Sequence, residues 1–483
     1  MLGIAIGCAT LVVVGWAILR GKYAPLVLFA SGAFMLLCAA VFDIGTFLPK
    51  KGAVPTGSDI FNVVEFIRYM FSNRLSSLGL LIMAMVGFAS YMTHIGANDA
   101  FVRIAIKPLS LFRNPYMVLV VGFLLGKAVS MVITSAVGLG VLSMALMGPA
   151  LVAIGLNKKA IGAIFVTSGA VSLVLIGGSP AAASKACSLT ILDYVFFYKI
   201  PAGLPVIAIM AVAHFFWQSY LDRREDWNCA EHKGEALVFD EAIKKPMVDA
   251  PKFYAILPFL PMILVVVFSP YVVSSIKLDI ITLMFLCVII GMVIETFRWK
   301  FSFDKISAGC KVFLQAMGRS MSGVVSLVIA AGVFAQGFKS LGMLDAIVGL
   351  ANTAGFGVLG MSILFVLITT AVAIIAGSNG ASFYPIVEMV PKIAKDMGVN
   401  PVALVLPMHQ ASTIARPLSP VAGVVVAIAA MLKMNPLELV KRASVPCIVG
   451  LIAHQIIVFL FTLCSGEGAR NDRSKGRKHV AGA

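Results

Sequence analysis

The chain has 483 residues, 60% hydrophobic and 12% charged, with a formal net charge of +16. A soluble chain carries about 25% charged residues, so an ordinary soluble domain is excluded, and a mean hydropathy of +0.98 agrees. The basic excess would suggest nucleic acid in a soluble protein; here Lys and Arg sit mostly in loops between apolar runs, where retention on the cytoplasmic side of a membrane explains them.

Apolar runs long enough to cross the ~30 Å hydrocarbon core recur along the whole sequence. The alternating ten-residue segments of a membrane β-barrel do not. The first run, "MLGIAIGCATLVVVGWAIL", has no basic n-region and no small-residue cleavage site, so it reads as a retained span. Spans are predicted near 2–19, 24–42 and 75–93. The segment 115–156 reads as a re-entrant hairpin turning at "MVITSAVGLGV" and returning to Lys158-Lys159. A span over 160–185 follows, broken at "GGSPA" (177–181), and then a span over 200–219. The hydrophilic stretch 220–252 is too short for a domain and reads as a connector.

Past the connector, spans are predicted near 253–273, 278–297 and 321–338. A second hairpin covers 357–397. Its apolar arm, Phe356 to Ala376, ends in Gly377-Ser378-Asn379-Gly380, and its return arm carries Pro385, Glu388, Pro391, Lys392 and Lys395, too polar to cross lipid alone. A span over 401–432 is broken at "ARPLSP" (415–420), and the last span covers 444–464. The basic tail 465–483 reads as disordered. With ten spans and two hairpins both termini lie on one side, and placing them outside puts most loop cations inside, including Arg103, Lys107 and Arg113.

The two halves echo each other. Gly96 and Gly342, like Asp99 and Asp345, are 246 residues apart; Ser135 and Ser378, Gly155 and Gly398, and Asn157 and Asn400 are each 243 apart. Five spans per half invert the second copy. The predicted fold is therefore an all-α polytopic membrane protein with about ten transmembrane helices and two re-entrant hairpins in two inverted repeats, 1–219 and 253–464. Inverted repeats with interrupted helices in matching places point to a secondary transporter with a site near the bilayer midplane.

Irregular backbone is tolerated at membrane depth only where protein or a water-filled cavity satisfies it. Two tips, Ser135–Gly140 and Gly377–Gly380, and two breaks would meet there. Exposed N–H groups at helix starts favour anions. The candidate substrate-binding residues are Ser135, Gly138, Gly377, Ser378, Asn379, Gly380, Arg416 and Ser419. Small residues also let membrane helices pack, which suits Gly357 and Gly360 equally well. Arg416 is the sharpest of the set, because its guanidinium grips a carboxylate bidentately; the alternative is a structural pair with Glu388. Lys127 and Lys185 are further embedded cations. His94, Asp193, Glu388 and His409 are coupling candidates, each with a plain reading as a satisfied polar group. Asp99 and Asp345 read as caps or hinges.

No G-x-x-x-x-G-K-[ST] is present, since "GFLLGKA" (122–128) has the wrong spacing, so ATP is not the driver. No H-E-x-x-H or G-x-G-D is present, and no enzyme activity is expected. The eight Cys are scattered without a C-x-x-C, which argues against disulfides or a metal site. No cofactor is expected, and the coupling ion, proton or sodium, stays open. A gradient-driven carrier of small organic anions is the leading reading; a carrier of another small anion or an amino acid, and an ion channel, are the alternatives.

Several long runs resemble one known family: "FASYMTHIGAND" (88–99), "GVFAQG" (332–337), "FYPIVEMVPKIA" (383–394), "MHQAS" (408–412), "LSPVAGVVVAIAAM" (418–431) and "VKRASVP" (440–446). Together they look like the anaerobic C4-dicarboxylate carriers of the DcuC type, within a larger group of inverted-repeat transporters with paired hairpins. The resemblance implies a bacterial inner-membrane secondary carrier of succinate, fumarate or malate, working by efflux, exchange or symport. Members of the larger group are often dimers. The first break, "LIGGSPAAASK", is plainer than the family pattern, and Lys127 and Lys185 depart from it.

Overall fold

The computed structural model describes residues 2–20, 22–44, 48, 53–105, 114–131, 133, 135–174, 177–235, 237, 248, 250–268, 272–273, 275–276, 278–346, 349 and 357–479, with side chains described as far as 461. Lys107, Arg113, Phe356 and most of the connector beyond 237 lie outside the described residues.

The described residues form helices and no strand. The first half runs α1 (Leu2–Leu19), α2 (Ala24–Val41), α3 (Asp59–Arg74), α4 (Leu80–His94), α5 (Ala97–Ala105), α6 (Pro115–Ser130), α7 (Ala136–Ala153), α8 (Lys158–Thr167), α9 (Gly178–Ala186), α10 (Ile191–Asp193) and α11 (Ile200–Arg224). The second half runs α12 (Leu260–Val267), α13 (Ile280–Arg298), α14 (Phe303–Ser320), α15 (Ser326–Ser340), α16 (Val358–Ala376), α17 (Asn379–Val387), α18 (Val390–Asp396), α19 (Val402–Ile414), α20 (Gly423–Leu432) and α21 (Pro436–His479).

Nine helices among the described residues are long and apolar enough to cross a membrane. They differ from the ten predicted spans in informative ways. Leu2–Ile18 and Lys252–Val267 are apolar but short, and 160–185 is divided into α8 and α9. Conversely one arm of each predicted hairpin, Ala136–Ala153 and Val358–Ala376, has full crossing length. The backbone of α21 is helical to His479, through the tail that the composition predicts to be disordered.

Short polar residues set the helix boundaries. Asn114 accepts from the Tyr116 N–H with Pro115 at the first helical position, and Asn157 caps α8 through the Lys159 N–H. Gly377, at φ +62°, ends α16 in the left-handed conformation, and Ser378 starts α17 one residue later.

The matched positions of the two halves share local conformation. Ser135 and Ser378 each cap a helix by accepting from the N–H three residues on. Asn157 and Asn400 each accept from the N–H two residues on. Gly96 and Gly342, and Gly155 and Gly398, all have positive φ. Asp99 and Asp345, expected as caps, instead hold other elements: Asp99 accepts from the Val248 N–H, and Asp345 pairs with Lys392. A further match was not visible in the residue types. π-helical turns interrupt the two longest first-repeat and second-repeat helices at Leu75–Gly79 and Met321–Val325, 246 residues apart.

Packing crosses between the halves. Helix α2 lies on α15, α4 on α14, the α6–α7 pair on α8 and α20, and the α16–α17 pair on α19 and α9. Two large apolar cores result. One contains Met35, Phe88, Phe334 and Phe383; the other contains Phe123, Phe165, Met210 and Val425. Each hairpin therefore meets its own broken helix and one half of the other.

A charged cluster ties α11 to α21. Arg442 is 1% exposed and donates to Asp222 at 2.6 Å and to Glu225 at 2.7 Å. Tyr116 of α6 donates to the other Asp222 oxygen at 3.1 Å. Lys159 bridges Glu225 at 3.5 Å and Glu438 at 3.2 Å.

Candidate functional site

Tips and breaks converge on a cavity of about 190 Å³. The first tip contributes Ile133, Ala136 and Leu139; the first break contributes Gly169, Ser172, Val174 and Gly177–Pro180; the second tip contributes Asn379; the second break contributes Arg416. Ile82, Val86 and Val324, at or beside the π turns, form an apolar wall. The polar lining is Ser130, Ser172, Ser179, Asn379, Tyr384, Thr413 and Arg416. Arg416 is the one charged side chain among the described lining residues.

Arg416 occupies its place because three glycines allow close approach. Gly169 leaves room for the guanidinium: a Cβ there would lie 2.9 Å from Nη2. At Gly178 a Cβ would lie 2.6 Å from the Tyr384 hydroxyl, so the second hairpin closes on the first break. At Gly377 a Cβ would lie 2.9 Å from the Ala422 Cα and N, so the second tip sits on the second break. Nε of Arg416 is buried without a hydrogen-bond partner, and no carboxylate among the described residues reaches the group. The alternative reading, a pair with Glu388, is corrected: Glu388 pairs with Arg74 at the α3 end of the first π turn. A guanidinium at membrane depth costs about 2.5–3.5 kcal/mol on insertion scales, and here a cavity rather than an acid receives it.

The other predicted site residues divide into two groups. Asn379 lines the cavity, and Ser135 and Ser378 cap the helices that begin at it. The Ser419 hydroxyl is buried without a partner in the second break. Gly138 receives the Ser135 cap, while Gly377 and Gly380 shape the second tip. None of the four coupling candidates lines the cavity. His94 is exposed at the end of α4, and Asp193 follows its cap Thr190. His409 is buried, bonded to the Tyr194 hydroxyl at 3.0 Å and stacked on Phe383. Glu388 lines a second, wider cavity with Arg74, Lys185, Lys339 and Lys392.

Three residues that hold the site together were missed in the sequence or left without a role. Gln410 clamps the first break, its amide receiving the Ser172 N–H at 3.1 Å and donating to the Ser172 carbonyl at 3.2 Å. Lys127 donates to the Val171 and Ala170 carbonyls at 3.0 and 3.4 Å. Lys199, in the π turn Tyr194–Lys199, donates to the Val174 carbonyl at 3.1 Å. Polar residues inside apolar runs were the available signal; their partners lie in distant helices.

The architecture is that of a helical membrane transporter, with broken helices meeting at a polar internal cavity. Among solved structures, the Alcanivorax borkumensis YdaH transporter matches with a TM-score of 0.63 at 15% identity, over 92% of this chain and 99% of that one. The Neisseria gonorrhoeae MtrF efflux pump matches with a TM-score of 0.53 at 13% identity, over 91% and 95%. Those likenesses concern the fold alone.

Sequence comparison is more specific. Residues 2–463 match the family described as C4-dicarboxylate anaerobic carrier. The anaerobic C4-dicarboxylate transporter DcuC of Escherichia coli K12 is 38% identical over 447 residues, 92% of this chain and 94% of that protein. A Vibrio cholerae relative, named a probable transporter of the same kind, is 36% identical over 452 residues, 94% and 96% of the two chains. The chain belongs to the C4-dicarboxylate anaerobic carrier family.

Proposed function

We propose that the protein is a secondary carrier of C4-dicarboxylates in the bacterial inner membrane, moving succinate, fumarate or malate by exchange, efflux or cation symport. The observation that carries this reading is the unpaired Arg416 guanidinium facing a small polar cavity where both tips and both breaks meet. Its volume is well below the roughly 300–1,000 Å³ of drug-sized sites, which suits a four-carbon acid. Arg416 would take one carboxylate bidentately; Asn379 and the N–H groups beginning α17 would take the other. In this reading the halves are inverted repeats, the hairpins are re-entrant, and the hairpin-bearing part moves against the remaining spans to alternate access. The repeated capping serines and asparagines, the paired positive-φ glycines and the paired π turns support that symmetry.

The test uses purified protein in liposomes preloaded with unlabelled succinate and offered labelled succinate, fumarate, malate or aspartate. Saturable counterflow of at least one C4-dicarboxylate is expected. Absence of counterflow for all of them, or a non-saturating current, overturns the reading.

A further inference from the structure

Carriers with discontinuous helices bind coupling cations at unwound carbonyls and half-helix C-terminal ends. The first break offers such carbonyls, because residues 168–174 leave the helix between α8 and α9. Sodium does not fit there. The carbonyls of Ala170 and Val171 accept from Lys127, that of Val174 from Lys199, and that of Ser172 from Gln410. The two lysines come from α6 and from the turn leading into α11, so they reach the break from different elements. Lys127 is 5% exposed and Lys199 0% exposed, and neither meets a carboxylate among the described residues. The second break solves the same problem differently: its Ala415, Arg416 and Ser419 carbonyls accept from Leu418, Ser419 and Ala422 in tight local turns.

We propose that Lys127 and Lys199 are tethered cations that hold, at the first break, the place of a mobile coupling sodium, so that transport is independent of sodium. The inference rests on the carrier reading for its transport consequence but not for its structural one. A built-in ammonium supplies the carbonyls with the charge and donors they need, and it cannot leave with the substrate. Together with Arg416 it also gives the region three cations with no carboxylate among the described cavity-lining residues, an excess that a dianion balances.

The experiment compares sodium chloride with choline chloride at equal ionic strength, using purified full-length protein. The melting temperature of the unmodified protein is expected to be the same in both salts. Lys127→Met and Lys199→Met, which keep side-chain bulk and lose charge, are expected to melt lower and to be raised by sodium but not by choline. Succinate counterflow of the unmodified protein is expected to be equal in both media. Saturable stabilisation of the unmodified protein by sodium, or a tenfold fall of its counterflow in choline, overturns the proposal. Should neither variant fold, the salt comparison on the unmodified protein decides alone. Failure of succinate to move in either medium counts against the carrier reading, while the melting comparison still tests the lysines.

Discussion

Arg416 and Gly169 belong to different broken helices, yet the guanidinium of one fills the space a side chain on the other would need, 2.9 Å from where its Cβ would be. Gly169→Ala should therefore displace the guanidinium without removing it. We expect the half-saturating succinate concentration to rise about tenfold, equivalent to about 1.4 kcal/mol, with unchanged insertion and melting temperature. Arg416→Lys keeps the charge but loses the planar fork, and should weaken binding at least as much. Unaltered counterflow affinity in both variants would remove Arg416 from the site.

Gly377→Ala tests whether the second tip is seated on the second break. The residue has φ +62°, and its added Cβ would press on the Ala422 backbone. Left-handed backbone costs a non-glycine residue roughly 1–2 kcal/mol before any clash. A lower melting temperature and slower counterflow are expected. A variant that melts and transports like the parent would show that the tip rests elsewhere.

Gln410→Leu removes both hydrogen bonds to Ser172 and leaves a buried N–H and carbonyl in the first break. Each unsatisfied group costs about 1–3 kcal/mol. Thermal unfolding should shift down clearly, whereas Ser76→Ala, on a side chain that only bonds its own helix, should leave it in place.

Arg442→Met strands the Asp222 carboxylate inside the bundle, and breaking a buried pair this way costs about 3–5 kcal/mol. We expect little folded protein by size-exclusion chromatography, with recovery in Arg442→Met/Asp222→Asn. Glu225, just past the end of α11, adds a pH signature. Burial raises its carboxyl pKa, but the hydrogen bond and charge of Arg442, aided by Lys159, outweigh that and hold it below the usual carboxylate value. A depressed folded pKa contributes stability above the unfolded value, about 4.3 for Glu, and loses it as pH falls through the folded one. The melting temperature of the parent should therefore fall below about pH 4, with Glu225→Gln responding less.

Much of this arrangement was legible in the residues. The spacing of Ser135 with Ser378 and of Asn157 with Asn400 marked equivalent helix starts, because capping needs a short polar side chain at a fixed place. Asn379 and Arg416 stood out because polar groups in membrane-grade sequence need a cavity. Partners were not legible. Glu388 was set against Arg416 as neighbours in the second half, whereas the cation it meets, Arg74, is 314 residues away. Gln410 and Ser172, 238 residues apart, meet only because two broken helices cross. The π turns left no mark either: "LSSLG" and "MSGVV" share little beyond small residues, and an extra residue in a helical turn carries no compositional signature.

Those paired turns also make the protein sensitive to chain length at two places. Removing one residue from Leu75–Gly79 would let an ordinary helix run through and swing everything after it by about 100°. Ile82 and Val86, which wall the cavity, would then face another direction. The same holds for Val324 within the second turn. A gene can therefore exchange many of these apolar side chains for one another, but a three-nucleotide deletion at either place rewrites the shape of the chamber while hardly altering the hydropathy profile.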